Sequence, residues 1–391
     1  MISLIVPAYN ECLNIPTLVQ RVGLALASTG EPYELIIVDD NSPDGTADMV
    51  RGLQSTYPWL KLLVRKNERG LSTAVIAGWR IASGDVLGCM DADLQHPPEI
   101  LPKLVERLRA SGADIVVGSR HVRGGGVSDW SLARRLVSWT ATLMATLILP
   151  GTLGNLRDPM SGFFLLRRDV LTGAELRPLG YKILLEVLAK GNYKQIEEVP
   201  FVFEERAKGG SKIGTSTMLQ YVLHLIRISL ETGEAARIGK FALVGLSGAV
   251  VNLVLYRLLI ALNCAVWVAA SIAASIAIVN NFIGNEWFTF WETHNALPGW
   301  KRIWQRFLAF SLLSGVGLLI NVGIVEILVG TRHVHWLIGL IAGIGFAGAW
   351  NFFSNANVTW QAWWDRKDLS KTALADRNAA ARQEIKSEKG V

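Results

Sequence analysis

Cysteine is scarce in this chain: 391 residues contain three, Cys12, Cys89 and Cys264, far apart and never in C-x-x-C spacing. That pattern argues against a disulfide framework and a closely spaced zinc site, and fits a reducing compartment. Glycine is plentiful, with 37 residues, yet no P-loop pattern occurs, and the single G-x-G-x-x-G, GIGFAG at 343–348, lies inside a long apolar stretch and not after a strand, which weighs against a dinucleotide enzyme or a P-loop NTPase. The opening MISLIVPAYNE has no basic n-region and only a short apolar run, so it reads as a first strand and not a signal peptide. Neither sign of charge dominates. The 39 Lys and Arg against 33 Asp and Glu leave a modest positive excess. With the apolar segments described below, that excess suits an anionic membrane surface and not nucleic acid.

What is present divides into two halves. Over the first ~215 residues short β-branched runs alternate with helical patterns, the signature of a largely parallel sheet with crossover helices. Strands are expected over 2–6, 34–38, 61–64, 86–90 and 114–118, with helices over 15–27, 46–55, 71–82 and 98–111 between them. Ligands of such sheets bind at the carboxyl ends of the strands. By that rule PAYNE (7–11), DDNSPDGT (39–46), DADLQH (91–96) and GSR (118–120) face one crevice.

Beyond residue 240 four apolar stretches, near 241–262, 266–284, 307–329 and 336–353, each approach the length needed to cross a bilayer. Lys and Arg gather before the first, between the second and third, and after the fourth, so the positive-inside rule puts the N-terminal domain and both termini in the cytoplasm. Trp287, Trp291, Trp300, Trp304, Trp336, Trp360, Trp363 and Trp364 are expected in interfacial belts. This half repeats itself. FALVGLSGAVVN (241–252) matches FSLLSGVGLLIN (310–321), and NFIGNEWFT (281–289) matches NFFSNANVT (351–359), offsets of 69 and 70 residues. Two helices per unit make the repeats parallel, related by an axis along the membrane normal. The same offset relates Arg257 to Glu326, which are expected to pair across that axis. Two stretches, 130–149 and 218–230, read as amphipathic helices lying in the interface, although each could also be an ordinary core helix.

The chemistry concentrates at the strand ends. Buried charge is costly unless paired or bound to metal, yet the apolar run 86–90 ends in Asp91 and Asp93. Such carboxylates are hard ligands for Mg²⁺ or Mn²⁺, which take one or two of them plus substrate phosphates. Gln95 could complete the shell. A lone Asp-x-Asp is more often a surface loop, but this one lies opposite a second acidic strand end, Asp39-Asp40. Asp44 reads as a cap for the helix from Thr46, Asp40 as a nucleotide contact, Tyr9 as a stacking surface and Glu11 as a further acceptor.

PAYNE, VDDNSPDGT, MDADLQHPPE, VVGSR, DPMSGFFLLRR and ERAKGGSK, in that order over about residues 1–230, resemble family 2 glycosyltransferases of GT-A fold. More narrowly they resemble dolichol- or polyprenol-phosphate mannosyltransferases, and the membrane half resembles GtrA-like domains. The resemblance implies an α/β GT-A domain, Rossmann-like with a mostly parallel sheet, over 1–215. It further implies an interfacial helix or linker over 216–236, a four-span helical transmembrane domain over 237–365 and a polar tail over 366–391. Pro7, Tyr9, Glu11, Val38 and Asp40 would hold the nucleotide. Asp91, Ala92, Asp93 and Gln95 would hold metal and diphosphate, with Lys212 also on the donor. Arg120, Arg134, Arg135, Ser138 and Arg206 would hold the lipid phosphate, since an arginine fork grips phosphate oxygens bidentately. The catalytic set is then Asp91, Asp93, Arg120 and Arg206. KGGSK (208–212) reads as a glycine-hinged loop closing over the diphosphate.

The implied partners are GDP-mannose or another nucleotide sugar, dolichyl or polyprenyl phosphate, the lipid bilayer, no nucleic acid, and a second copy of the chain through the membrane domain. The reaction is an inverting hexose transfer at the cytoplasmic face. Alternatives are a UDP-glucose-dependent glucosyltransferase and a membrane half that translocates the lipid-linked sugar. Processive synthases carry Q-x-x-R-W, which is absent here.

Overall fold

The computed structural model describes residues 1–128, 132–153, 156–177, 179–204, 215–291, 299–332 and 334–360, and the chain divides into two compact units, Met1–Ser229 and Leu230–Val391.

The first unit is built on a seven-stranded sheet of order β3-β2-β1-β4-β7-β5-β8. Its strands are β1 (Ile2–Ala8), β2 (Tyr33–Asp39), β3 (Leu60–Val64), β4 (Val86–Cys89), β5 (Ile115–Ser119), β7 (Phe164–Arg167) and β8 (Ile196–Pro200). All neighbours run parallel except β7, which is antiparallel to both β4 and β5. The near-continuous apolar runs of β1 and β2 follow from burial on both faces of a parallel sheet. One face carries α1 (Ile15–Ala27), α2 (Thr46–Gln54) and α4 (Leu101–Ser111). The other carries α3 (Leu71–Ile81), α5 (Leu132–Ile148), the single turn α6 (Pro150–Leu153), α7 (Ile183–Lys190) and α8 (Thr215–Glu231). A short parallel pair, β6 (Gly126–Val127) and β9 (Val202–Phe203), closes the end beside β5.

The elements expected from periodicity are present with small shifts at their ends. The helix expected to begin at residue 98 opens as a tight 3₁₀ turn, Pro98–Ile100, before α4. The two candidate interfacial helices are apolar on two faces. Ala141 and Ala145 of α5, and Tyr221, Leu225 and Ile228 of α8, are buried in the core, while Leu136, Trp139 and Leu143 and then Leu219, Leu223 and Ile226 stand exposed. One face of each anchors the helix to the sheet, and the other is an exposed apolar surface. Because its packing is with the sheet, α8 belongs to the first unit and is not a separate linker.

The second unit holds four helices long and apolar enough to cross a membrane: α9 (Glu234–Ala261), α10 (Val266–Gly284), α11 (Trp300–Val325) and α12 (Trp336–Ser354). The last three each run on into a widened π-type turn, Asn285–Thr289, Glu326–Thr331 and Asn355–Thr359. The repeat is visible in packing. Buried Ala269, Ala273 and Ala277 of α10 correspond to Gly339, Gly343 and Ala347 of α12, and small residues at four-residue spacing let helix backbones approach closely. A Cβ on Gly248 would collide with Asn281 Oδ1, and one on Gly317 with Asn351 Oδ1, so each repeat locks its helix pair with the same glycine–asparagine contact. The equivalent rings Phe290 and Trp360 stack on each other, centroids 4.4 Å apart and 12° from parallel.

Two expectations for this half fail. Arg257 and Glu326 are both exposed and no ion pair joins them. Repeat equivalence places two residues at matching positions, which is not proximity. Among the described residues an ion pair does join buried Glu286 and Arg306, and Trp360 Nε1 donates to Glu286 Oε2 at 2.7 Å. Trp360 is therefore a core residue and not part of an interfacial belt, because its indole N–H has a buried acceptor. Trp287, Trp291, Trp300, Trp304 and Trp336 are exposed as expected, and Trp363 and Trp364 lie outside the described residues.

Candidate active site

The carboxyl ends of β1, β2 and β4 are three adjacent turns, and each contains a non-glycine residue in the left-handed region: Asn10 (φ 56°), Asn41 (φ 55°) and Leu94 (φ 63°). Asparagine tolerates that conformation, whereas a bulky apolar residue does not, so Leu94 marks stored strain beside the two aspartates.

The turns after β1 and β2 are laced together. Asp39 accepts from the Ser42 amide and hydroxyl, and Ser42 Oγ accepts the Asn10 amide at 2.9 Å. Asp44 accepts the amides of Thr46 and Cys12 at 3.0 Å each, while Thr46 Oγ1 accepts the Glu11 amide. Burial acts to raise the Asp44 carboxyl, but these bonds, led by the Thr46 hydroxyl, hold it below its ordinary value. Asp44 thus satisfies the first turn of α2, as its position in the turn implies. Glu11 is buried and accepts from Asn14 Nδ2 at 2.6 Å.

Asp40 is engaged within the protein. Arg65, at the end of β3, reaches it through Nε at 2.7 Å, and the Gly70 amide donates to its other oxygen at 2.8 Å. It thereby fixes the 65–70 turn, from which the Arg69 guanidinium lies 4.9 Å over the Tyr9 ring. Pro7 and Val38 are cross-strand partners. The Val38 side chain is buried in the core, as is that of Ala92, so both present only backbone to the crevice.

After β4, Asp93 Oδ1 accepts the Gln95 amide at 3.1 Å. Asp91 is partly exposed, and its amide donates to His96 Nδ1 at 3.2 Å. His96 is buried against Phe163, Phe201 and Phe203, stacked on the first at 5.2 Å. Burial, with the cations Arg120 and Lys182 nearby, lowers its pKa to about 3, so the ring stays neutral and serves as an acceptor that orients the Asp91 backbone. Gln95 is tied across to the strand edge: its Nε2 donates to the Glu204 carbonyl at 3.0 Å, and the Glu204 amide returns a bond to the Gln95 carbonyl.

At the end of β5, Arg120 lies bidentate on Asp158, Nε to Oδ2 and Nη2 to Oδ1 at 2.7 Å each. Asp158 is fully buried and the Arg120 side chain is 9% exposed, and the Arg120 amide also donates to Asp158. The guanidinium fork expected on a phosphate is thus committed along one edge to a carboxylate. Burial tends to raise the Asp158 carboxyl, but Arg120 outweighs it and the net shift is downward. Glu198 of β8 supports the pair by accepting the amides of Arg157 and Asp158. Arg135 and Ser138 stand on α5, exposed and half-buried, without a hydrogen bond or ion pair to Asp91, Asp93 or Arg120. The side chain of Arg134, and Arg206, Lys212 and the KGGSK segment, lie outside the described residues.

Comparison with known proteins turns this arrangement into a family. Residues 3–173 match the model for Glycosyl transferase family 2, and residues 240–360 that for the GtrA/DPMS transmembrane domain. A dolichol-phosphate mannosyltransferase of Pyrococcus furiosus is 41% identical over 359 residues, covering 92% of this chain and 99% of that one. The chain belongs to the dolichol-phosphate mannosyltransferase family. It is accordingly a glycosyltransferase with a GT-A catalytic domain and an integral membrane domain. The Saccharomyces cerevisiae enzyme of the same name is 43% identical over 233 residues, 57% of this chain and 85% of that one. Among solved structures, a glucosyl-3-phosphoglycerate synthase from Mycobacterium tuberculosis aligns at 21% identity and a TM-score of 0.45, over 59% of this chain and 80% of that one.

Several residues of this site escape a reading of the strand ends alone. Asp158, Met160, Gly162 and Phe163 all come from the segment before β7, which reaches the site only because β7 runs backwards. A Cβ on Gly162 would meet Asp91 Oδ2 at 3.2 Å and His96 Cε1 at 3.4 Å, so the missing side chain leaves the carboxylate its room. Lys182 Nζ donates to the Met160 carbonyl at 2.6 Å. Burial and then Arg120 lower its pKa to about 8, against the pull of Asp91 and Asp158. The signal available in sequence was the motif DPMSGFF itself. Among the described residues no three His, Cys, Asp or Glu side chains converge as a closed metal cage. Two carboxylates with substrate phosphates completing the shell is the arrangement Mg²⁺ and Mn²⁺ accept, so Asp91 and Asp93 fit such an ion.

Proposed function

We propose that the chain transfers mannose from GDP-mannose to the phosphate of a dolichyl or polyprenyl phosphate at the cytoplasmic membrane face, inverting the anomeric centre. The observation that carries this reading is similarity to a dolichol-phosphate mannosyltransferase over 92% of the chain, supported by the shared neighbours of the charged groups: His96 feels Asp93, Arg120 and Asp158, and Lys182 feels Asp91, Arg120 and Asp158.

In this reading Pro7, Tyr9, Glu11, Val38 and Asp40 hold the nucleotide, with Asp40 acting through the 65–70 turn it fixes. Asp91 and Asp93, with the Gln95 amide oxygen, hold a divalent cation. When bound, Mg²⁺ or Mn²⁺ supplies Lewis-acid neutralisation of the donor diphosphate. Lys212 steadies the donor. Arg120, Arg206, Arg134, Arg135 and Ser138 gather the acceptor phosphate. A phosphate monoester ionises with a second pKa near ~6, so it attacks without a strong general base. What the protein contributes is alignment and screening of two anions. The exposed apolar faces of α5 and α8 bring the lipid acceptor to the protein.

The test is sugar transfer by the full chain in detergent with Mn²⁺ or Mg²⁺ and a short polyprenyl phosphate. GDP-mannose should serve as donor, UDP-glucose should not, and Asp93→Ala should abolish transfer. Transfer from UDP-glucose alone would replace the donor assignment. Donor binding without transfer from either sugar would end the acceptor assignment.

A further inference from the structure

The membrane unit carries two charges within its apolar surface that its own fold leaves exposed. Arg257 lies one turn before the end of α9, flanked by exposed Leu253, Val254 and Leu258. Glu326 lies where α11 passes into its π-type turn, flanked by exposed Val322 and Ile327. Among the described residues, no hydrogen bond or ion pair engages either side chain. Ionised groups facing hydrocarbon are costly, and they pair, line a cavity or reach for the interface.

Their placement is not arbitrary. The two positions are equivalents in the internal repeat, 69 residues apart, and they bear opposite signs. A parallel repeat about an axis along the membrane normal preserves depth and turns each position to the opposite side of the bundle. Two copies inserted in the same sense therefore present Arg257 and Glu326 to each other at one level in the bilayer. The fold that keeps the two charges apart within one chain makes them complementary between chains.

We propose that the membrane unit is a self-association surface, in which Arg257 of one copy pairs with Glu326 of the next. The contact joins unlike faces, so it is head-to-tail and builds rings or rows, not an isologous dimer. It is independent of which sugar the catalytic unit transfers.

The test exploits that direction. Full chains tagged with donor or acceptor fluorophores are reconstituted together in liposomes at low density, and energy transfer is read. Wild type should show transfer that dilution with untagged wild-type chain abolishes. Arg257→Glu alone, or Glu326→Arg alone, should lose it, since like charges then meet. Mixing the two single variants should restore transfer, because position 257 of each kind then finds the opposite sign at position 326 of the other. Pairing within a chain, or side chains reaching separately to the interface, predicts no rescue on mixing. Sugar transfer by the same liposomes shows that each variant is folded. Equal energy transfer in all samples, none in wild type, or no rescue on mixing would each overturn the proposal.

Discussion

Arg120 and Asp158 close on each other through two parallel 2.7 Å bonds, although 38 residues separate them in the chain. Asp158 is fully buried and Arg120 keeps only 9% of its side chain exposed, so the pair is worth most as a unit. Removing one partner of such a pair leaves an uncompensated buried charge, at a cost of about 3–5 kcal/mol. Asp158→Ala should therefore lower the unfolding midpoint of the full chain and abolish sugar transfer together. Arg120→Lys should keep most of the stability and lose most of the activity, because an ammonium cannot span both oxygens. Thermal unfolding in detergent, alongside transfer rates, separates the two effects.

Gly162 supplies a narrower test. A methyl group there would press on Asp91 at 3.2 Å without touching the sheet hydrogen bonds. Gly162→Ala should reduce transfer roughly tenfold or more, since small displacements of a positioned group carry costs of that order. The concentration of Mn²⁺ giving half-maximal activity should rise, with unfolding little changed. An unaltered metal requirement would separate Gly162 from the carboxylate.

The Arg65–Asp40 pair positions the 65–70 turn and not the metal. Arg65→Ala should raise KM for the nucleotide sugar several-fold and leave the dependence on lipid acceptor concentration close to wild type. Initial-rate measurements with each substrate varied in turn decide this.

Acid sensitivity should track Glu186. This buried carboxylate accepts from His224 at 2.8 Å, Lys190 at 2.6 Å and the Arg177 amide. Burial works to raise it, but those partners win and hold its pKa near 2 against an ordinary 4.5. A carboxyl depressed on folding stabilises the protein above its unfolded pKa and loses that contribution as pH falls towards its folded one. The wild-type unfolding midpoint should thus fall between about pH 4.5 and pH 2, and Glu186→Gln should flatten that part of the profile while starting from lower stability at pH 7. An identical acid limb in the variant would assign the loss to other groups.

How much of this was legible beforehand depended on distance along the chain. Asp91 and Asp93 could be placed because a strand end fixes where its next residues lie, and that relation is local. The apolar periodicity of β1, β2 and α1 was equally local. Asp158, Lys182 and Arg65 were not placed, because each meets its partner through sheet order, and order is a property of the assembled domain. Val38 and Ala92 show a related gap: their position in a motif was readable, but not that their side chains turn into the core. In the membrane unit the repeat was visible from matched asparagines and phenylalanines. Equivalence in a repeat does not imply contact: Arg257 and Glu326 make no pair, whereas Glu286 and Arg306, which the repeat does not relate, do.

The reversed strand has one more consequence. Because β7 runs against its neighbours, residues 121–157 leave the sheet at the end of β5 and return to the same end, with Arg120 and Asp158 clasped at the two feet. Everything carried on that excursion, including α5 and its exposed apolar face, leaves and re-enters the sheet at one closed junction, and meets the rest of the domain again through the β6–β9 pair and the buried face of α5. The turns after β1, β2 and β4 belong to no part of this excursion. The architecture thereby separates two kinds of evolvability. The excursion can be lengthened, shortened or exchanged while the junction stays shut and the turns after β1, β2 and β4 keep their geometry.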